Sequence, residues 1–373
     1  MYSADAMWVL STARAELHHF ADCSAIPGGY AILSHTWTQT PGGEETFQDV
    51  QDIIKICKNG KNPRDHVDEK IRRSCEIAED DGYAWIWIDS CCIDKESSTE
   101  LSEAFNSMFT WYTLAEICYV YLEAVSHAEN PHAKDSKFRT SRWHSRGWTL
   151  QELLAPALAV FFSQEWKKIG TKYDLRFPLS ECTGINVEYL TRERDFRIDA
   201  SIARRMSWAA ERETTRVEDE AYCLLGLFDI NMPTLYGEGR KAFHRLQAEL
   251  VKQSIDTTLF AWGGHHTFNH NEREQSLLSD VQKYYHQPDH PCIFLFAPCP
   301  ALFKGWSEAS SLWIPVPVNQ TSLPYSEHSE KVCVASPYIT HSHFISEWIH
   351  TIRKLYLIRP TTRSPILSRP RMA

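Results

Sequence analysis

Glu152 stands in surroundings that could do chemistry. Residues 141–156 place it with two tryptophans (Trp143, Trp148), two arginines (Arg142, Arg146) and the leucine pair Leu153 and Leu154. Trp148 and Glu152 are four apart, so on a helix they share a face. Pro156 must end that helix, because it lacks an amide hydrogen and its ring clashes with the preceding turn. A carboxylate beside an indole, on a helix whose leucines face a core, has two readings: a structural partner for an arginine, or a working group in a pocket. Partners for the second reading occur elsewhere. Ser34, His35 and Trp37 end one apolar run, and Asp89 and Ser90 end another.

The elements that would position these groups follow from periodicity. Residues 30–37 read as a buried strand with polar groups at its carboxyl end. Residues 47–57 read as a short helical piece. Val67, Ile71, Cys75 and Ala78 recur at helical spacing, which predicts an amphipathic helix over 66–80. Residues 84–89 are apolar on both faces, as in a parallel strand covered by helices. Ser97 and Glu100 have capping-box spacing, and Leu101, Phe105, Met108, Tyr112 and Ala115 continue as one helical stripe. Residues 117–122 and 158–162 read as third and fourth strands, with the Glu152 helix between them. This alternation predicts an α/β fold with a mostly parallel sheet flanked by helices and right-handed crossovers. Beyond residue 166, segments 201–211, 217–228 and 239–254 read as helices of an annex.

Ligands of open parallel sheets bind beyond the carboxyl ends of the strands. Ser34, His35, Trp37, Asp89, Ser90 and Glu152 would be delivered there. Each also has a plainer reading: Asp89 as a turn acceptor, His35 as a hydrogen-bonded structural histidine, Trp37 and Trp148 as packing. Arg142 and Arg146 either pair with carboxylates or hold a diphosphate.

Composition narrows the classes. A chain of 373 residues has room for two domains. Its net charge of -9 argues against a general nucleic-acid or anionic-membrane binder. No apolar run reaches the roughly 18 residues of a spanning helix, and no secretory signal is visible. A cytoplasmic location is expected, with the 11 cysteines as reduced thiols. No metal is expected: Cys91 and Cys92 are adjacent with no answering pair, and the loop Gly263-Gly264-His265-His266 lacks acidic or cysteine partners at ligand spacing. The chain has no GxxxxGK[ST], GxGxxG or GxSxG pattern, which excludes a P-loop NTPase and argues against a dinucleotide oxidoreductase and a nucleophile-elbow hydrolase. A Cys91 or Cys92 nucleophile working with His35 is a further reading.

Three blocks, residues 30–37, 87–95 and 146–154, resemble in order and spacing the motif blocks of the fungal heterokaryon-incompatibility (HET) domain. Two positions depart: Thr38 stands where the first block usually has glycine, and Lys95 where the second often has glutamine. The lead-in 7–11 to 26–27, the annex with Leu235-Tyr236-Gly237-Glu238-Gly239, and residues 294–306 resemble the subgroup found at the front of NOD-like fungal receptors. The HET domain is also similar to the Toll/interleukin-1 receptor (TIR) fold. The run Trp148-Thr149-Leu150-Gln151-Glu152-Leu153 resembles that fold's Trp-Cys-x-x-Glu-Leu helix, with threonine in the cysteine's place.

The resemblance implies a flavodoxin/TIR-like sheet and an effector of vegetative incompatibility that triggers programmed cell death. It also implies NAD+ cleavage centred on Glu152, with NAD+ as substrate and no cofactor required. Glu152, Asp89 and His35 would be catalytic. Ser34, Trp37, Ser90, Arg142, Arg146 and Trp148 would bind the ligand. The alternative is a non-catalytic signalling or self-association module. Implied partners are a second copy through the HET domain and a NOD-like receptor or allelic incompatibility partner. The expected organisation is a HET domain over 1–166, a helical annex over 167–262, an irregular extension over 263–315 and a weakly ordered tail over 316–373.

Overall fold

The computed structural model describes residues 6–38, 43–57, 60–260 and 296–304. The strands are β1 (Met7–Ser11), β2 (Leu17–Phe20), β3 (Ala31–Ser34), β4 (Trp85–Trp87), β5 (Ile117–Tyr121), β6 (Ala159–Phe162) and β7 (Lys168–Thr171). They form one seven-stranded sheet in the order β2-β1-β4-β3-β5-β6-β7. The central strands β4, β3, β5 and β6 run parallel. The outer ones, β1, β2 and β7, pair antiparallel. The fold is therefore α/β, with a mixed sheet whose middle is parallel. Within that middle, chain order runs second, first, third, fourth. The connections from β3 and from β4 leave in opposite directions, which makes a topological switch point between β3 and β5.

Burial explains why the central strands read so clearly. β3 and β6 are buried along their whole length, and β5 in all but its last residue. Strands covered on both faces need continuous apolar runs. The edges differ: β2 exposes His18 and His19, and β7 exposes Lys168, polar groups that blunt an open edge.

Helices α1 (Phe47–Ile56), α2 (Glu69–Asp80) and α3 (Ser98–Leu114) connect the strands. Thr46 and Asp49 close a reciprocal capping box on α1. Asp68 caps α2 through the Ile71 amide, and the helix buries Ile71, Ser74, Cys75 and Ala78 at helical spacing. It starts three residues later than its periodicity predicts, because Pro63–Asp65 form a separate 3-10 turn. Ser97 caps α3, accepting from the Glu100 amide, while the Glu100 carboxylate turns to the Asp94 amide, so the expected capping box is only half made.

Three strands were not predicted: β1, β2 and β7. The β1–β2 turn carries none of the usual glycine, asparagine or proline signals. Its left-handed position is Ala15, at φ 52°. β7 lies just past residue 166 and continues the sheet.

The expected Glu152 helix is two short pieces, α4 (Arg142–Ser145) and α5 (Thr149–Leu154). Between them the backbone opens to meet a distant segment. The Glu213 amide donates to the Ser145 carbonyl at 2.6 Å, and the Gly147 amide to the Glu213 carbonyl at 2.8 Å. Gly147 gives this approach room: a Cβ there would lie 2.5 Å from the Thr214 methyl and 3.2 Å from the Cys223 sulfur, and Thr214 would have to turn away.

The annex comprises α6 (Arg176–Thr183), α7 (Val187–Leu190), α8 (Phe196–Asp199), α9 (Ile202–Ser207), α10 (Asp219–Tyr222), α11 (Leu225–Phe228) and α12 (Lys241–Gln253). Its buried residues join those of the sheet in one continuous core. α11 packs on α3 so closely that a Cβ at Gly226 would lie 2.0 Å from that of Phe109. Gln247 mimics a peptide and pairs with both backbone groups of Ala297. The Gly263–His266 loop, the tail 316–373 and most of the extension 263–315 lie outside the described residues. Among the described residues no helix is long and apolar enough to cross a membrane, and no cluster of three metal-ligating side chains occurs.

Candidate functional site

Ser34 is the last residue of β3, and its hydroxyl links two side chains from the α4–α5 segment. Its oxygen accepts from the Trp143 indole N–H at 2.8 Å and donates to the Glu152 carboxyl. Tyr112 of α3 donates to the Leu33 carbonyl at 3.0 Å, and its hydroxyl also bonds to Glu152. Glu152 is 4% exposed. Among the described residues no lysine or arginine forms an ion pair with it. Burial pushes its pKa up to about 8, and the Asp89 charge adds to the rise. The Ser34 bond and the charges of Arg146 and Arg212 offset only part of this. At neutral pH the carboxyl therefore holds a proton.

Asp89, two residues past β4, stands in the opposite condition. One carboxylate oxygen meets His35 Nε2 at 2.9 Å, and the other accepts from the Trp37 indole N–H at 2.8 Å. Its side chain is 22% exposed, against 1% for His35. Burial pushes the Asp89 pKa up, but the bond and charge of His35, the Lys95 charge and the Trp37 N–H together hold it well below the usual carboxylate range. Nε2 of His35 carries the hydrogen toward Asp89, which leaves the buried Nδ1 without a partner among the described residues. The buried hydroxyl of Ser90 is likewise unpaired.

Cations surround Trp37. Lys95 donates to the Ser90 carbonyl at 2.9 Å and lies 4.0 Å from the Trp37 ring centre. The Arg146 guanidinium lies 6.0 Å from the same ring, and the exposed Arg142 donates to the Trp37 carbonyl. Ser34, His35, Trp37, Asp89, Ser90, Arg142, Arg146 and Glu152 are thus gathered around the tips of β3 and β4. Trp148 is not. It packs on Phe105 at 4.7 Å and bonds to Asp219 of the annex, so its indole serves the junction between core and annex.

Sequence reasoning passed over four participants. Trp143 lay inside the chosen segment and Tyr112 inside the α3 stripe, but nothing local pointed either at Glu152. Lys95 showed only as a departure from a motif. Arg212 gave no signal at all. The cysteine reading finds no support: Cys91 and Cys92 are buried, burial drives the Cys91 thiol far up, and His35 Nε2 is committed to Asp89. Cys91 and Cys92 are both unbridged thiols.

Residues 30–136 match the family described as heterokaryon incompatibility protein (HET). The HET match thus covers under a third of the chain. The blocks at 30–37 and 87–95, which supply Ser34, His35, Trp37, Asp89 and Ser90, fall inside the match, and Glu152 lies beyond it. Residues 241–345 match a second family, described as a domain of unknown function (DUF8212). The chain is 44% identical over 229 residues to "Vegetative incompatibility protein HET-E-1" of Podospora anserina. That stretch covers 60% of this chain and 16% of the relative, so the chain spans only a small part of that protein's length. No solved structure matches.

Proposed function

We propose that this HET domain is an effector of vegetative incompatibility that triggers cell death by cleaving NAD+ at the nicotinamide–ribose bond. The observation that carries the reading is the convergence of two carboxylates with opposite pKa shifts on the strand tips, beside a switch point and ringed by Trp37, Lys95, Arg142 and Arg146. The similarity to a vegetative incompatibility protein and the TIR-like run 148–153 support it. The bond between C1′ and the pyridinium nitrogen breaks, and its electron pair neutralises the ring nitrogen. Nicotinamide leaves as a neutral base, so no general acid is needed. Water adds to C1′ and releases a proton, giving ADP-ribose.

Glu152 would release its proton to solvent as the cationic ring approaches, stabilise the oxocarbenium-like ribose as a carboxylate and take up the proton that the attacking water gives off. Asp89, ionised and partly exposed, would accept from a ribose hydroxyl, with His35 holding it in place. Lys95, Arg142 and Arg146 would meet the diphosphate.

A second reading, a non-catalytic signalling or self-association module, is favoured by the depth of Glu152, whose carboxyl is tied to Ser34 and Tyr112. The two part company on one experiment. The purified chain is incubated with NAD+ and released nicotinamide is measured, wild type beside Glu152→Gln, with melting temperature as a control. The proposal predicts a kcat/KM that rises toward a plateau above about pH 8 and falls at least about 100-fold in the folded variant. No turnover in wild type at high protein concentration, or equal turnover in both, leaves the module reading.

A further inference from the structure

The annex reaches the candidate site through one buried side chain. Arg212 follows α9, yet its guanidinium lies against the start of α5, 63 residues back in the chain. Nη1 donates to the Arg146 carbonyl at 2.8 Å and to the Thr149 hydroxyl at 2.9 Å, and Nε donates to the Trp208 carbonyl at 3.1 Å. Thr149 passes the link on, donating to the carbonyls of Arg146 and Trp143. Trp143 then bonds Ser34, and Ser34 bonds Glu152. Glu213 holds the same segment from the next position, through Ser145 and Gly147.

Three hydrogen bonds to carbonyl and hydroxyl oxygens could be made by a neutral group. Arg212 is instead a buried cation with no ion pair among the described residues, and its Nη2 has no partner among them. A desolvated charge of this kind costs stability unless something uses it. The acidic groups within its field are the buried thiols of Cys223 and Cys182, which stay protonated, and the Glu152 carboxyl.

We infer that Arg212 is a positioning residue: from the annex it seats the Glu152 segment, and it supplies the buried positive charge that accompanies Glu152 when that carboxyl ionises. The inference deepens the proposed reaction and rests on that reading for its purpose, while its bonds and charge are tested without NAD+.

The groups acting on Glu152 are Asp89 beyond β4, Tyr112 of α3, Cys118 of β5, Arg146 and Arg212. Those acting on Arg212 also include His144 of α4, Cys182 of α6 and Cys223. Burial drives the tyrosine and the thiols up and His144 down to about 3, so none of these titrates between pH 5 and 9. Lys172, which caps the Leu153 and Pro156 carbonyls, and Glu45 do change protonation in that window. The Glu152 step is therefore read as a difference between otherwise identical chains carrying Glu152 or Gln, which cancels both.

The test uses the full chain with Arg212→Lys and Arg212→Met, each with and without Glu152→Gln. Melting temperature is followed across pH 5–9, and amide exchange of residues 149–154 is followed at neutral pH. Arg212→Met is expected to speed that exchange at least about tenfold, because hydrogen bonds from a charged donor are lost, and to move the Glu152 step to higher pH. Arg212→Lys keeps the charge and loses the fork. It is expected to speed the exchange and leave the step near its wild-type position. A purely structural Arg212 would move the step in neither variant, and that result overturns the charge role. Unchanged exchange in folded Arg212→Lys overturns the seating role, even if Arg212→Met fails to fold. Absence of NAD+ turnover in wild type would defeat the proposed function and leave both readouts to judge Arg212.

Discussion

Glu152 and Asp89 sit by neighbouring strand tips, β3 and β4; Glu152 is buried and Asp89 partly so. Asp89 meets a histidine, an indole N–H and a lysine field, and stays ionised. Glu152 meets hydroxyls, with its arginines acting only at a distance, and takes up a proton. Depth alone would have raised both. The partners that each chain segment brings decide which carboxyl keeps its charge.

The comparison can be broken from either side. The largest effect belongs to Glu152. Its folded pKa of about 8 lies above the unfolded value of 4.5, so the native state holds a proton that the unfolded state releases. Stability should fall as pH rises from about 4.5 to about 8, by on the order of 5 kcal/mol in all, and level off above. Glu152→Gln should remove that slope, so denaturant titrations of the two chains should diverge as pH rises. Parallel curves would mean that Glu152 is ionised at rest.

Asp89→Asn comes next, with a loss of on the order of 3 kcal/mol at pH 7, because His35, Lys95 and the Trp37 N–H lose their shared anion. The sign is opposite to that of Glu152. Asp89 contributes stability above the usual carboxylate range, lost as pH falls through its lowered folded pKa, so the variant should be less acid-sensitive. It should also lower the Glu152 step, since the Asp89 charge helps to raise it. Ser34→Ala should cost about 2 kcal/mol, by stranding the Trp143 N–H and one Glu152 bond, and should shift the Glu152 step upward. Arg142→Ala should change stability by no more than about 0.5 kcal/mol, as its side chain is exposed. Under the proposed reaction it would still raise KM for NAD+.

Much of this geometry was legible before the fold was known. Strands buried on both faces must be continuous apolar runs, so β3, β4, β5 and β6 and the polar residues at their tips could be read directly. What escaped depends on contacts between distant segments. The Glu152 helix is interrupted because residues 145–147 trade hydrogen bonds with Glu213. Trp148 turns toward Asp219. The β1–β2 turn uses Ala15 where a turn rule asks for glycine. Arg212 acts across 63 residues, and no local pattern points that far.

The most direct test of the contrast is the infrared stretch of the protonated carboxyl group, taken as the difference between wild type and Glu152→Gln. The account predicts a protonated-acid band at pH 7 that the variant lacks and that disappears as pH rises past about 8. Absence of the band at pH 7, with an ionised carboxylate in its place, would contradict it.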